Sequence, residues 1–521
     1  MSDQFSSHLL DLPPAMLAFL FQTVASGPGG LANAASLSQT CKLLYSLSEG
    51  PDVIYSNLSL AAAISSPDHP AWQWLAKRIG RIAGLSLDLR LELPDDGAVE
   101  MADHSRDWIQ PLQTLSGIAG VQLRLEWVDR ITSLRHPCTD QWLKQHGQII
   151  SHLTVEVDIS HVPMLSLRKF CRTAAPCRSV DLTIWHTSQV VNLADLVPVA
   201  GSLQRLTCKA FAPGSNTLRG SSAFSSMSQL VALNLLHEQF ENEEPWGHLA
   251  KLTSLQQLSL KVTASGDPSP LSALTSLSCL ILQTNGSGED EDLIPSSFSS
   301  LQPLSTLIHL EELQLRDHAC AATSLQGLAG LSNLRRLVIG LDSESGRLAS
   351  LEGISSGVTK LRISHASPGS AVLAGIHACT SLEKLSLFYV YQLSSLQCLR
   401  GLSSLRQLEL SSCSLTSLEG LNMPLESLSL SHCISLTHMS GFEHLSALKS
   451  LKVIGCMHVT SLQALSQLGE GLQKLDVCWC YGVTEAVLEL PHVQPTADVH
   501  VGSSKVKEVV LAGGVRLAFI A

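Results

Sequence analysis

Aromatic residues make up only 5% of this 521-residue chain, and charged residues only 15%. Packed globular domains lean on Phe, Tyr and Trp. The shortage therefore points away from a mixed core and towards one built from a single repeated aliphatic residue, and leucine is conspicuous throughout. Apolar material is ample, at 45% with a mean hydropathy of +0.20. Long apolar runs are missing: no stretch approaches the roughly 20 uninterrupted apolar residues of a membrane helix. The opening Met1-Ser2-Asp3-Gln4-Phe5 lacks the basic start of a secretory signal, and no Ala-x-Ala cleavage site follows a clean apolar run, so a cytosolic or nuclear location is expected. The 14 cysteines form no pair of CxxC motifs, and Cys478-Trp479-Cys480 is too tight for a zinc knuckle. In a reducing compartment they stay as thiols. The sequons Asn57-Leu58-Ser59 and Asn285-Gly286-Ser287 then read as chance matches.

An excess of basic charge is also lacking. With 34 basic and 45 acidic residues the net charge is −11, which argues against a nucleic-acid partner because phosphates need a basic surface. The signatures of chemistry are absent as well: no GxxxxGK[ST] loop, HExxH helix or GxSxG elbow occurs. The 20 histidines are scattered; His438 and His444 stand six apart and His432 precedes Cys433, and neither spacing builds a ligand set on one turn. Glu289-Asp290-Glu291-Asp292 lacks the alternation and turn glycine of a calcium loop and reads as a solvated loop. No catalytic residue, metal or cofactor is expected.

What is present is a repeat. Leu-x-x-Leu-x-Leu and its close variants occur twelve times, beginning at Leu203, Leu230, Leu255, Leu277, Leu310, Leu334, Val358, Leu382, Leu405, Leu425, Leu448 and Leu472. The steps are 27, 25, 22, 33, 24, 24, 24, 23, 20, 23 and 24 residues. The period-two end of each copy predicts a short strand with one buried face. No single turn can bury its leucines alone, so neighbouring turns must stack and supply the core. Three residues beyond the last apolar position stand Cys413, Cys433, Cys456 and Cys480, where a small polar side chain can bond backbone as the chain leaves the strand. The return path is regular too, as in Leu415-Thr416-Ser417-Leu418-Glu419-Gly420-Leu421, and has room for one short helical or 3₁₀ turn. Upstream, alternating strands are predicted at Leu85–Leu91, Val121–Leu125, Leu153–Val157 and Val180–Ile184, giving about sixteen turns; Pro70–Ile82 reads as an amphipathic helix.

Over roughly residues 200–490 these features resemble the leucine-rich-repeat family. The resemblance implies an α/β solenoid, an arc or horseshoe with a parallel sheet on its concave face. A solenoid exposes raw core unless its ends are sealed. At the C-terminus the pattern gives way to Val499-His500-Val501, Val506–Leu511 and Val515–Ile520, read as a cap over 484–521. The N-terminus offers two or three short apolar helices, with Pro13-Pro14 opening the first and Ser26-Gly27-Pro28-Gly29-Gly30 ending it. Leu12-Pro13, Leu17 and Phe21, then Leu37, Cys41, Lys42 and Tyr45, make this stretch resemble an F-box. It departs from that family in its long connection at Ser26–Gly30 and in lacking an Arg-Trp pair after the cysteine. The same residues also read as a plain helical cap. The organisation expected is therefore a helical segment over 8–60, degenerate repeats over 61–200, regular repeats over 201–483 and the cap.

The strand positions flanking the second and third leucines hold ten basic residues, Arg205, Lys209, Lys261, Arg316, Arg336, Lys360, Arg362, Lys384, Lys452 and Lys474, against Glu312, Glu409 and Asp476. On an acidic chain this predicts an electropositive inner face, densest over Arg316, Arg336, Lys360, Arg362 and Lys384, that meets an acidic or phosphorylated protein. Such residues also serve as solubilising neighbours for a leucine ladder. The F-box resemblance implies the substrate receptor of a Skp–cullin–F-box ubiquitin ligase, docking the Skp adaptor and cullin through Leu12, Pro13, Leu17, Phe21, Leu37, Cys41 and Tyr45. The alternative is a repeat scaffold or regulator, signalling or ciliary, without any ligase.

Overall fold

The computed structural model describes the strands at 58–64, 85–91 and 121–131 and, apart from several connecting loops, residues 147–518. The F-box-like residues Leu12, Pro13, Leu17, Phe21, Leu37, Cys41 and Tyr45, the helix expected over Pro70–Ile82 and the run Glu289–Asp292 lie outside the described residues. The chain divides into two compact units, Met1–Glu243 and Glu244–Ala521.

In the first unit seven parallel strands follow one another: β1 (Leu58–Ile64), β2 (Leu85–Leu91), β3 (Val121–Ile131), β4 (Ile150–Asp158), β5 (Val180–His186), β6 (Leu203–Ala210) and β7 (Ala232–Leu235). Each pairs with the next, as stacked turns require. The four degenerate strands are present, and β1 is an addition that straddles the expected 60/61 boundary. Between β4 and β5 the chain forms α1 (Leu165–Ala174), whose Leu167, Phe170, Cys171 and Ala174 are buried at helical spacing. That helix accommodates one of the longer steps.

Among the described residues the second unit contains eleven ladder strands: β8 (Gln257–Lys261), β9 (Cys279–Gln283), β10 (Glu312–Arg316), β11 (Arg336–Gly340), β12 (Lys360–Ser364), β13 (Lys384–Phe388), β14 (Gln407–Ser411), β15 (Ser427–Ser431), β16 (Ser450–Ile454), β17 (Lys474–Cys478) and β18 (Asp498–Gly502). Every neighbouring pair is parallel. All twelve copies of the motif, from β6 and β7 of the first unit to β17, form strands.

The fold is a leucine-rich-repeat solenoid, and its period is visible in the backbone. Leu301, Leu304, Leu307 and Leu310 stand three apart, each linked to the next by an N–H···O=C bond of 2.9–3.0 Å. A 3₁₀ turn has three residues per turn, so every third side chain falls on one face. The spacing then drops to two at Leu313 and Leu315, where the strand begins. All six leucines are at most 1% exposed. The 325–339 and 396–410 segments repeat the scheme. The expected helical returns are thus mostly 3₁₀. Their tightness needs glycine: Gly353, Gly375, Gly401, Gly420 and Gly441 all have φ between +88° and +110°. At Gly441 a Cβ would lie 2.7 Å from the Leu418 carbonyl oxygen of the preceding turn.

The cysteine column behaves as expected. Cys413, Cys433, Cys456 and Cys480 are buried, and each Sγ–H points to a carbonyl at the end of a preceding strand, at Leu387, Leu410, Leu430 and Val453, at 3.7–4.0 Å. Burial pushes the Cys413 thiol up to about 12 and the Cys480 thiol up to about 11.

At the C-terminus the ladder runs one strand further than the repeat pattern, because Asp498–Gly502 joins β17 inside the expected cap. A separate three-stranded sheet flanks that strand in sequence: Val487–Glu489 and Glu508–Val510 pair in parallel, and Arg516–Ala518 turns back antiparallel on the latter. Within that small sheet Arg516 and Glu508 form an ion pair of 3.2 Å across the antiparallel pair.

Candidate protein-binding face

Successive parallel strands lie about 4.8 Å apart, so residues one repeat apart become neighbours. In the second unit Arg336, Lys360 and Lys384 open three consecutive strands and are directly opposite one another. Arg362 stands between Val338 and Ser386 on the same outward face, with its guanidinium 4.1 Å from the Phe388 ring centroid. These four basic residues line one groove of about 600 Å³, with Val338 and Ser386 low in its floor. Arg316 is not part of it. Its Nε donates to Gln314 Oε1 at 2.8 Å, and Gln314 is tied in turn to Glu312.

The groove also contains charges that the sequence count passed over, because they sit one place before the positions counted. Arg406 adds a cation, and Glu383 and Glu426 add two carboxylates to the already counted Glu409, so five basic side chains face three acidic ones. The repeat column Glu311, Arg335, Thr359, Glu383, Arg406, Glu426, Lys449 carries the signal. Several expected cations are committed to partners. Arg336 Nη1 lies 3.4 Å from Glu312, and Lys384 Nζ 4.0 Å from Glu409, which also accepts from Ser386 Oγ at 3.0 Å. Lys449 donates to Glu426 at 2.6 Å, and this bond holds the Glu426 carboxyl below its ordinary range. In the first unit Arg205 reaches Asp181 at 3.5 Å and Lys209 lies 4.6 Å above the Trp185 ring. The face is therefore less positive than the count of ten against three implied. At the centre of the groove, the Lys360 side chain has no hydrogen bond or ion pair among the described residues, and the Arg362 side chain has only its ring contact.

A second feature borders the same strands and was missed by the sequence reading. The residue after each strand from β12 to β17 adopts a left-handed backbone: His365, Tyr389, Ser412, His432, Gly455 and Trp479 have φ between +53° and +64°. For a residue other than glycine this costs of order 1–3 kcal/mol. The structure compensates repeatedly. Each of these N–H groups donates to the carbonyl that ends the next strand, at Phe388, Ser411, Ser431, Ile454, Cys478 and Gly502, at 2.7–3.1 Å. The kink turns the following Val390 or cysteine inward and the residue after that outward.

The outcome is an edge of exposed apolar side chains. Tyr389, Tyr391, Ile434, Met457, Trp479 and Tyr481 are between 40% and 56% exposed. Three of the chain's five tyrosines stand here. His365 stacks on Tyr389 with ring centroids 4.5 Å apart, and Tyr389 lies 6.3 Å from Tyr391. In a chain this poor in aromatics, such clustering on a surface makes this edge a candidate interaction site. The available signal was an aromatic or apolar residue just before and just after the inward Val or Cys.

No family model matches the chain, and no curated protein matches it. Similarity is found among solved structures. A leucine-rich-repeat protein of Leptospira interrogans is 17% identical, with a TM-score of 0.40, over 65% of this chain and 86% of its own. Internalin C2 of Listeria monocytogenes is 22% identical, with a TM-score of 0.27, over 46% of this chain and 83% of its own. The Toll–Spatzle complex of Drosophila gives 16% and 0.43, over 87% of this chain and 61% of its own. Matches at these values carry no argument about function. The site must be read from this chain's own residues.

Proposed function

We propose that this chain is a protein-binding repeat module, not an enzyme. The outward strand face of the second unit takes an extended polypeptide bearing acidic or phosphorylated residues. One observation carries the reading: Lys360 and Arg362, free of carboxylate partners, sit centrally in a groove of about 600 Å³ beside an exposed aromatic edge. A carboxylate or phosphate would complete their hydrogen bonds, with Arg336 and Lys384 close by. Apolar residues of the same partner would cover Tyr389 and Tyr391. Selection of displayed random peptides tests this. The wild type should enrich acidic sequences with aromatic or aliphatic neighbours, and the Lys360→Glu, Arg362→Glu variant should not. Equal enrichment by both would overturn the proposal.

The finer reading is that captured proteins are presented for ubiquitination. It is supported by the resemblance of Leu12, Pro13, Leu17, Phe21, Leu37, Cys41 and Tyr45 to an F-box. On this reading those residues dock the Skp adaptor, cullin follows, and the chain works in the cytosol or nucleus. The eleven described cysteines, all unpaired, suit such a reducing compartment. Co-purification with Skp and cullin, lost in a Leu12, Leu17, Phe21 triple alanine variant, is the expected result. Absence of Skp from the wild-type complex would leave a repeat scaffold without a ligase.

A further inference from the structure

The tight pair Cys478-Trp479-Cys480 separates in the fold. Trp479 takes the left-handed turn, so Cys480 points into the core and bonds the Val453 carbonyl. Cys478, the last residue of β17, faces outward instead. Two residues before it, on the same face, stands Asp476, and the Cys478 Sγ–H donates to Asp476 Oδ1 at 3.2 Å. The neighbouring strand β18 places His500 directly opposite Asp476 and Gly502 directly opposite Cys478. One donor atom from each of Asp476, Cys478 and His500 lies within 4.8 Å of the other two. Gly502 keeps the space between them narrow but open. A Cβ there would lie 3.4 Å from His500 Nε2 and 3.5 Å from Cys478 Sγ, so both donors lean over the one residue in the pair of strands that has no side chain.

A thiolate, an imidazole and a carboxylate are the donor types that tetrahedral zinc takes, with ligand atoms about 2.0–2.3 Å from the ion and hence roughly 3.3–3.8 Å from one another. Small side-chain rotations bring the three atoms to that separation. The two strands hold the ligands in place, since Asp476 and Cys478 share a face by strand alternation and the parallel register supplies His500. We infer that Asp476, Cys478 and His500 form a zinc(II) site at the C-terminal end of the outward strand face. Solvent completes the fourth position, and the thiol proton is released to the buffer on binding. Lys452 opposes the ion: it stands directly across from Asp476 on β16 and brings a positive charge beside the ligands. The site is therefore of moderate strength, and it is independent of whether the basic groove binds a polypeptide.

The test uses the full chain and metal ions alone. Zinc(II) is titrated in competition with a chromophoric chelator, and cobalt(II) is followed by its absorption. Wild type is expected to take up zinc and to show a thiolate-to-cobalt charge-transfer band. Cys478→Ala should remove that band, and Cys478→Ala and His500→Ala should each weaken zinc binding by about tenfold or more. Lys452→Met should strengthen it, which a merely structural role for these residues would not produce. Circular dichroism of each variant confirms that the repeats remain folded. The inference falls if wild type takes up no zinc. It falls equally if the band and the affinity survive in Cys478→Ala, since other thiols of the chain would then be holding the metal.

Discussion

Replacing Lys360 by Glu should stabilise the protein while weakening partner capture. Lys360 lies directly opposite Arg336 on one side and Lys384 on the other. Like charges in such cross-strand positions destabilise a sheet by roughly 0.2–1 kcal/mol per pair. The side chains of Arg336 and Lys384 are 51% and 42% exposed, and each already has a carboxylate nearby, so the lower end applies. A glutamate at 360 turns two repulsions into two attractions, for a net gain of about 0.5–1.5 kcal/mol. In a unit of this size that corresponds to a rise of about 1–3 °C in thermal midpoint. Lys360→Met should give about half the gain. Both shifts should shrink towards zero at about 1 M salt, where screening reaches only some 3 Å. Thermal unfolding followed by circular dichroism at low and high salt measures the shift, and fluorescence anisotropy with a selected acidic peptide measures the loss of binding. A Lys360→Glu protein that melts lower at low salt, or whose gain ignores salt, would refute the reasoning.

Three further outcomes follow from the same structure. Gly401 and Gly441 share a left-handed backbone, with φ of +94° and +110°, but a Cβ at 401 meets nothing within 4 Å while one at 441 strikes the backbone of the preceding turn. Gly401→Ala should cost about 1–2 kcal/mol for the backbone conformation alone, and Gly441→Ala should cost about 1–3 kcal/mol more; equal urea midpoints would contradict the packing described. Tyr391→Ala and Tyr481→Ala should change stability by less than about 0.5 kcal/mol yet weaken binding of the selected peptide, and unchanged affinity would remove the aromatic edge from the site. Exposed Cys398 should alkylate in the folded protein, faster as pH rises because partial burial raises its thiol, whereas Cys413 and Cys480, held at about 12 and about 11, should label only on unfolding. Mass-spectrometric mapping at pH 8 distinguishes the sites.

Much of the architecture was already legible along the chain, for a local reason. A leucine every third residue and then every second is the period of a 3₁₀ turn followed by that of a strand, and both are properties of consecutive residues. The twelve strands, their 3₁₀ returns and the inward cysteine column all follow from that pattern. Alternation already marked Val499-His500-Val501 as strand-like, but its place in the ladder was harder to see. Asp498–Gly502 reads as Asp-Val-His-Val-Gly, with neither a leucine nor the preceding period of three, and only pairing with β17 makes it part of the ladder.

The binding face depends on a different kind of proximity. Arg336, Lys360 and Lys384 are 24 residues apart, and counting by repeat position brought them together correctly. Counting did not reveal that Glu312 and Glu409 already engage two of them, nor that Arg406, Glu383 and Glu426 share the groove. Nor did it show that Cys478 and Cys480 face opposite ways, or that His500 stands beside Asp476. By itself, then, the sequence determined a leucine-rich-repeat solenoid, because periodic burial is written into neighbouring residues. Only the tertiary structure decided which charges remain free, where the few aromatics surface and which donors converge. Those outcomes depend on side-chain direction after each strand and on register between turns, and both are set by packing across a whole repeat.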